Sequence, residues 1–149
     1  MKILATNKRA RYDYEITETL VAGLVLAGHE VKSVKQGAIS LKGSFVSFQG
    51  DEAYLTNAHI TQYKHASGVT GYEPTQSRKL LLHRKELDRL LGEIKTAGKS
   101  AVPTAVGLEQ GLVKVEIGIG RGKKHYDKRQ TIKKRDMLRD ASLEVKKKK

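Results

Sequence analysis

Residues 45–56 read Phe45-Val46-Ser47-Phe48-Gln49-Gly50-Asp51-Glu52-Ala53-Tyr54-Leu55-Thr56. Two runs of aromatic, aliphatic and β-branched residues flank a short polar segment that has Gly and Asp at its centre. That order is typical of a β-hairpin, since Gly and Asp tolerate the backbone angles of tight turns. The stretch predicts two antiparallel strands joined by a turn at Gly50-Asp51.

The chain before the hairpin is also rich in strand-forming residues. Residues 12–49 contain many Val, Ile, Thr, Tyr and Phe, which predicts short strands joined by tight turns. Residues 21–27 are evenly apolar, so their periodicity fits either a buried strand or a short helix. The glycines that divide this part of the chain are Gly23, Gly28, Gly37 and Gly43.

After the hairpin, residues 63–77 become polar and contain glycine and proline, which predicts a loop. Leu87, Leu90, Leu91 and Ile94 then recur at helical spacing, and Gly98 follows as a stop signal. The sequence therefore predicts an amphipathic helix that ends near Gly98.

A strand is predicted immediately before the C-terminal segment. Val113, Val115, Ile117 and Ile119 alternate with polar or small residues, as in a strand with one buried face. A basic segment follows at once, so we expect the tail to leave directly from the sheet.

The predicted elements give the fold class. At 149 residues the chain suits one domain, and about five short strands with one late helix predict an α+β, mainly β architecture over an aliphatic core. A closed barrel of the oligonucleotide-binding type fits this pattern, and an open sheet with a covering helix fits nearly as well.

We expect the domain to span residues 1–130. Residues 131–149 would form a basic tail that is disordered in the free protein and helical on a polyanionic surface.

Charge indicates the class of partner. The chain has 29 Lys and Arg residues against 16 Asp and Glu, a formal net charge of +13. Residues 121–149 carry 13 basic and 4 acidic side chains (+9), whereas residues 1–120 carry 16 and 12 (+4). A nearly balanced domain with a strongly basic tail favours a nucleic-acid partner. A role in solubility is the alternative, and the terminal Lys146–Lys149 suit it best.

Several classes of chemistry are disfavoured by composition. Without cysteine the chain has no disulfide, no Cys-based zinc site and no thiol nucleophile. The five histidines show no ligand spacing, and the carboxylates form no acid and base pair. We expect a protein that is not an enzyme and has no cofactor or metal. It has no apolar run near the roughly 20 residues of a membrane span and no signal-peptide core, so we expect a cytoplasmic protein without a membrane partner.

A glycine cluster at residues 118–124 invites comparison with phosphate-binding loops. The comparison fails for a nucleotide P-loop, because the positions for its first Gly and its Ser or Thr hold Ile117 and Lys124. The dinucleotide fingerprint fails as well, since the third glycine comes one residue early. A flexible hinge and an RNA-backbone contact stay open as equal interpretations.

Basic residues alternate with tyrosines in two places, residues 8–14 and residues 123–129. Such clusters combine phosphate neutralisation with base stacking, as in proteins that bind unpaired or irregular RNA. In the first cluster, Tyr12 and Tyr14 packing into the core is a serious alternative. The second cluster favours RNA binding, because the strand before it already supplies the core residues.

Four segments of the chain form a combined motif. They are Asn7-Lys8-Arg9-Ala10-Arg11-Tyr12-Asp13-Tyr14, Gly28-His29-Glu30-Val31-Lys32-Ser33, Arg78-Lys79-Leu80-Leu81-Leu82-His83 and Arg121-Gly122-Lys123-Lys124-His125-Tyr126-Asp127-Lys128-Arg129. In this order and at these intervals they resemble the SsrA-binding protein (SmpB) family over about residues 7–135. Each motif alone is modest, but the four together are highly specific.

The resemblance implies an oligonucleotide-binding barrel with flanking helices that acts as a monomeric adaptor. It implies binding to the tRNA-like domain of tmRNA, support of its alanylation, and delivery with elongation factor Tu to stalled ribosomes. Elongation factor Tu and alanyl-tRNA synthetase would be indirect partners, reached through tmRNA. The RNA contacts implied or expected at matching positions are Asn7, Lys8, Arg9, Arg11, Glu30, Lys32, Arg78, Lys79 and Leu81.

The resemblance also implies a function for the tail. It would enter the empty mRNA channel of the small ribosomal subunit, where Tyr126 would stack on ribosomal RNA in the decoding centre. A message in the channel would exclude the tail, so engagement would report a missing message. The contacts expected there are Lys123, Lys124, Tyr126, Asp127, Lys128, Arg129, Lys133, Lys134 and Arg135.

One position departs from the family pattern. The residue before Ala22-Gly23 is commonly acidic in the family and helps the RNA-binding face, but here it is Val21.

The alternative function is that of a ribosomal or initiation-factor-like protein with the same barrel, which would bind ribosomal RNA without tmRNA. It would lack a preference for the tRNA-like domain.

Overall fold

The computed structural model describes residues 1–64 and 71–123. Nine strands and three helices lie in these two ranges. In chain order they are β1 (Lys2–Thr6), α1 (Lys8–Asp13), β2 (Tyr14–Leu24), α2 (Gly28–Lys35), β3 (Ile39–Ser40), β4 (Phe45–Gln49), β5 (Glu52–Thr56), β6 (His59–Ile60), β7 (Arg78–Leu81), α3 (Arg84–Ala97), β8 (Ser100–Glu109) and β9 (Leu112–Gly122).

Seven of the strands form one antiparallel sheet in the order β1-β8-β9-β2-β7-β5-β4, and β3 pairs with β6 separately. The sheet curls until Cα atoms of β4 and β8 come within 8 Å. Its edge strands β1 and β4 are not paired with each other in the described ranges. The mainly β, α+β class is confirmed, but the closed barrel is not supported, because no ladder of hydrogen bonds joins the two edges.

The core is aliphatic, as the sequence predicted. Leu55 and Ile60 from the first half of the chain pack with Leu90 of α3 and with Ile117 and Ile119 of β9, all fully buried. A sheet curled around Leu, Ile and Val side chains stabilises the domain without tryptophan, because burial of apolar area is the main favourable term.

The strongest local patterns predicted their elements correctly. The hairpin forms from β4 and β5, with Gly50 at a left-handed φ of 59° in the turn. The predicted helix is α3, and Gly98 ends it at φ 64° with its N–H donating to the carbonyl of Glu93. The predicted last strand is β9, which runs to Gly122 and so carries the chain directly from the sheet into the basic segment.

The first half of the chain contains two helices that the sequence did not predict. Gly28, read as a turn residue, begins α2, and residues 8–13 form α1. The ambiguous stretch 21–27 resolves as the end of β2 and the short connection to α2. Both helices are short, so the periodicity of apolar residues is too brief to reveal them.

Candidate nucleic-acid interface

A buried ion pair joins two of the predicted RNA contacts. The Arg78 Nη2 and Nε atoms donate to the Glu30 Oε2 atom at 2.6 and 3.0 Å. Only 2% of the Arg78 side chain and 3% of the Glu30 side chain are exposed. The pair therefore lies beneath the protein surface.

The same ion pair fixes the segment that precedes β7. Arg78 also donates to the carbonyl oxygens of Ala58 and Pro74, at 2.7 and 2.8 Å, and the Tyr72 hydroxyl donates to Glu30 at 3.0 Å. These bonds hold β7, α2 and the end of the predicted loop together. The described part of that loop, residues 63–64 and 71–77, has no helix or strand, which agrees with the prediction.

The electrostatics of this cluster are those of a charged pair. Burial raises the pKa of Glu30. Hydrogen bonds from the Ala27 N–H, Arg78 and Tyr72, together with the positive charge of Arg78, lower it by more, so the pKa of Glu30 lies below its ordinary value of 4.5. Burial, and then the bond to the Glu30 carboxylate, raise the pKa of Tyr72 to about 12. Glu30 is thus ionised and Tyr72 protonated at neutral pH.

Asn7 is also buried, and it caps a helix. Its Oδ1 atom accepts a hydrogen bond from Ala10 N–H at 3.3 Å, and its Nδ2 atom donates to the Pro103 carbonyl at 2.9 Å. Such a cap satisfies a backbone donor that the first turn leaves unpaired. Asn7 thereby fixes α1 against β8.

The exposed residues of α1 lie beside the end of β9. Lys8, Arg9 and Arg11 are exposed. The Arg9 guanidinium lies 4.8 Å from the Tyr12 ring centroid, and its Nε atom donates to Asp13 at 3.1 Å. Half-burial of the tyrosines in residues 8–14 leaves both interpretations of this cluster open.

Lys123, the first residue of the second basic cluster, contacts the first basic cluster, more than a hundred residues away in sequence. Tyr14 pairs with Gly122 at the end of the β2 and β9 ladder. The next residue, Lys123, donates its backbone N–H to the Asp13 carbonyl at 2.7 Å and its Nζ atom to the Arg11 carbonyl at 2.9 Å. The basic segment therefore starts against α1. Of the predicted ribosomal contacts, Lys124, Tyr126, Asp127, Lys128, Arg129, Lys133, Lys134 and Arg135 lie outside the described residues.

The outward face of the sheet places Lys79 and Leu81 together. They share one face of β7, because they alternate with the buried Arg78 and Leu80. Leu81 lies opposite Gly23 of β2. Leu81 is exposed, as are Val21 and Leu112 around it, and open clefts of about 300 and 340 Å³ run between these residues and Lys114. The cleft lining combines these apolar side chains with Lys114, His83 and Glu86, and an apolar surface beside lysines suits an RNA base and its phosphate.

Lys32 lies apart from this apolar surface, on α2. Its Nζ atom is 5.5 Å from the centroid of the Tyr63 ring, an arrangement favourable for a cation–π contact. The predicted RNA contacts therefore divide into buried residues that fix α1, α2 and β7, and exposed residues on α1, α2 and the sheet face.

Two neighbours of Lys79 were missed by the sequence reasoning. Glu52 Oε1 accepts a hydrogen bond from Lys79 Nζ at 2.8 Å, and Glu52 Oε2 accepts one from the Tyr54 hydroxyl at 2.8 Å. Alternation along β5 already put Glu52 and Tyr54 on one face. Their link to Lys79 depends on the pairing of β5 with β7, which no local pattern encodes.

No group of three or more His, Asp or Glu side chains among residues 1–64 and 71–123 is arranged to hold a metal ion. None of the helices in these ranges is long and apolar enough to cross a membrane.

The family model for the SmpB protein matches residues 4–147. The chain belongs to the SmpB family. Curated relatives of this SmpB-family chain carry the name SsrA-binding protein. One from Shouchella clausii is 45% identical over 97% of this chain and 92% of its own length, and one from Persephonella marina is 45% identical over 98% and 95%.

A solved structure supports the same assignment to the SmpB family. It is described as "tmRNA-SmpB: a journey to the center of the bacterial ribosome". The similarity has a TM-score of 0.65 at 45% sequence identity and covers 80% of this chain and 84% of the solved one. Sequence and fold thus agree on one family.

Proposed function

We propose that this chain is an RNA-binding adaptor of trans-translation. It binds the tRNA-like domain of tmRNA, supports its alanylation, and brings it to stalled ribosomes. Elongation factor Tu and alanyl-tRNA synthetase act with it through tmRNA, and the protein is a cytoplasmic monomer without catalytic activity of its own. The relatives' name, SsrA-binding protein, and the tmRNA and ribosome of the solved structure support this proposal.

The observation that carries the proposal is the contact of Lys123 with α1. Lys123 bonds to the backbone of α1 at both its N–H and its Nζ atom. The exposed basic residues of α1 therefore share an element with the contact of Lys123, which belongs to a segment with a net charge of +9 over residues 121–149. An adaptor needs two contact regions, and we assign one to the folded body and the other to this basic segment.

Within this proposal the contacts divide between the body and the tail. Lys8, Arg9, Arg11, Lys32, Lys79 and Leu81 contact the tRNA-like domain, while the buried Asn7, Glu30 and Arg78 act by fixing the elements that carry them. The residues that contact ribosomal RNA are Lys123, Lys124, Tyr126, Asp127, Lys128, Arg129, Lys133, Lys134 and Arg135, with Tyr126 stacking in the decoding centre. Residues 1–130 form the domain and 131–149 the tail, and the curled sheet is an open form of the oligonucleotide-binding barrel.

A titration of labelled tRNA-like domain, followed by fluorescence anisotropy with ordinary alanine tRNA as competitor, tests the proposal. It is repeated at several salt concentrations, because phosphate-driven affinity falls steeply with salt. We expect the tRNA-like domain to bind tightly and to outcompete tRNA by a wide margin at physiological salt. Equal binding of the two RNAs, with equal loss in salt, would instead favour a general ribosomal-RNA-binding protein.

A pair of variants locates the surface. Lys8→Ala removes an exposed charge of α1, and we expect it to weaken binding and to lower the salt slope by about one. Lys95→Ala removes an exposed charge from α3, which is not among the predicted contacts, and serves as the matched control. Equal losses in the two variants would contradict a surface centred on α1.

A further inference from the structure

A cluster of three polar side chains lies on the outward face of the sheet, next to the predicted RNA contacts. Tyr54 of β5 is directly opposite Lys79 of β7 in the ladder. Glu52, two residues before Tyr54 on the same face, bonds to both, with 2.8 Å from Lys79 Nζ to Oε1 and 2.8 Å from the Tyr54 hydroxyl to Oε2. One carboxylate thus holds a cation and a phenol.

The cluster is open to solvent. The Lys79 side chain is 43% exposed and the Glu52 side chain 47% exposed. The hydrogen bond from Lys79, then that from Tyr54, lower the pKa of Glu52, and the bond to Glu52 raises the pKa of Lys79. Both groups are therefore charged at neutral pH. Exposed pairs of this kind add little to stability, so the position of Glu52 calls for a reason beyond folding.

That position is unfavourable for a general polyanion-binding surface. Lys79 and the exposed Leu81 share one face of β7, which is the face expected to contact RNA. A lysine paired with a carboxylate presents little net charge to a phosphate that approaches loosely. An ammonium group has three N–H donors, so a well-placed phosphate can take a second donor while Glu52 keeps the first.

We propose that Glu52 is a specificity-determining residue that reserves Lys79 for an RNA whose shape places a phosphate at a free N–H of its ammonium group. This inference rests on the proposed function. An RNA held in register by Leu81 and α1 gains the contact with Glu52 still in place. An RNA whose phosphates approach only loosely gains little from Lys79, because Glu52 neutralises the charge of that lysine and repels the phosphates.

The test compares two carboxylates of the same hairpin. Glu52→Gln removes the charge that holds Lys79. Asp51→Asn removes an adjacent charge whose nearest cation is Arg84, at 3.8 Å, so it controls for the change in net charge. Both full-length variants are titrated with the tRNA-like domain and with alanine tRNA, and thermal unfolding confirms that each is folded.

We expect Glu52→Gln to tighten alanine tRNA by about two- to fivefold more than Asp51→Asn does, within the range of an exposed ion pair. Its effect on the tRNA-like domain should be smaller, so selectivity falls. The salt slope for alanine tRNA should rise by up to about one phosphate contact. Equal effects of the two variants, with a selective wild type, overturn the inference and leave the proposed function standing.

A double variant separates the mechanism from simple repulsion. In a Lys79→Met background, Glu52→Gln should change alanine tRNA binding no more than Asp51→Asn does, because there is no ammonium group left to release. A full Glu52→Gln effect in that background would overturn the inference. A wild-type protein that does not distinguish the two RNAs fails at the first titration, and that result contradicts the proposed function and this inference together.

Discussion

At the scale of single residues, Arg78 and Glu30 form a buried ion pair that fixes several elements of the fold. Arg78 makes bonds to Glu30, to the carbonyls of Ala58 and Pro74, and to the Tyr72 hydroxyl. Removing one partner of a buried pair leaves an unpaired charge and costs about 3–5 kcal/mol. The pair holds β7, and with it the exposed Lys79 and Leu81, in place.

Glu30→Gln tests this ion pair through pH. Because the folded pKa of Glu30 is lowered, its carboxylate stabilises the fold above the unfolded pKa, and that stability is lost as pH falls below about 4.5 through the folded value. We expect the variant to be less stable than wild type at pH 7 and its free energy of unfolding to vary less between pH 5 and pH 3. Urea unfolding at each pH measures both effects.

Glu73→Gln is the control for that experiment. Glu73 lies in the same connection and is exposed, and its contact is with the Thr75 hydroxyl rather than with Arg78. It should leave stability at pH 7 nearly unchanged. Parallel pH curves for wild type and Glu30→Gln would contradict a stabilising carboxylate at position 30.

The sequence could suggest which charged residues are candidates for RNA contact, but it could not predict which of them are buried. Lys8, Arg9 and Arg11 are exposed, as residues of a basic cluster should be, and Ala10 between them is buried. Glu30 and Arg78 look equally charged in the sequence. They are 48 residues apart, and only the packing of α2 against the end of β6 and the start of β7 brings them together and buries them.

At the scale of elements, the long ladder of β2 and β9 depends on glycine. A Cβ atom on Gly118 would come within 2.8 Å of the Ile16 Cδ1 and Thr104 Cγ2 atoms, and one on Gly120 would collide with the backbone of Glu15. These two glycines are buried within the strand. The sequence left two interpretations of this glycine cluster open, a flexible hinge and an RNA contact. At Gly118 and Gly120 the structure gives a different reason for glycine, which is close packing against the neighbouring strands.

Gly118→Ala and Gly122→Ala form a matched pair for this packing. The first places a methyl group against Ile16 and Thr104, and we expect it to destabilise the protein by about 1–3 kcal/mol, as overpacking does. In the second, no described residue apart from the chain neighbours has a heavy atom within 4 Å of the added Cβ, so it should change stability little. Chemical denaturation measures both, and equal stabilities would show that the ladder relaxes without cost.

Local pattern was sufficient for some elements and insufficient for others. The hairpin at Gly50-Asp51, the helix α3 and the strand β9 each repeat their signal over several residues. The helix α1 has six residues, and its start depends on the cap at Asn7 and the carbonyls of β8. Such tertiary contacts, like the order of strands in the sheet, have no local signature.

At the scale of the whole molecule, the positive charge is concentrated near the C-terminal end of the chain. Residues 1–120 carry a net charge of +4 and residues 121–149 carry +9. After β9 the chain contacts α1 at Lys123, and most of the basic residues of the segment 121–149 follow Lys123 in sequence. Since phosphate contacts supply affinity and positioning, this division predicts that binding of the tRNA-like domain and action on the ribosome are separable.

Deletion of residues 131–149 tests that separation. It removes 8 basic and 3 acidic residues but none of the residues that form the sheet or α1. We expect the shortened protein to bind the tRNA-like domain with nearly full affinity in the anisotropy titration, and to lose peptide tagging on stalled ribosomes.

Deletion of Lys146–Lys149 alone is the control, because it removes charge but keeps Lys133, Lys134 and Arg135. Tagging that survives the longer deletion, with RNA binding intact, would refute a sensing function for the tail. Tagging lost equally in the control would assign the effect to the terminal lysines instead.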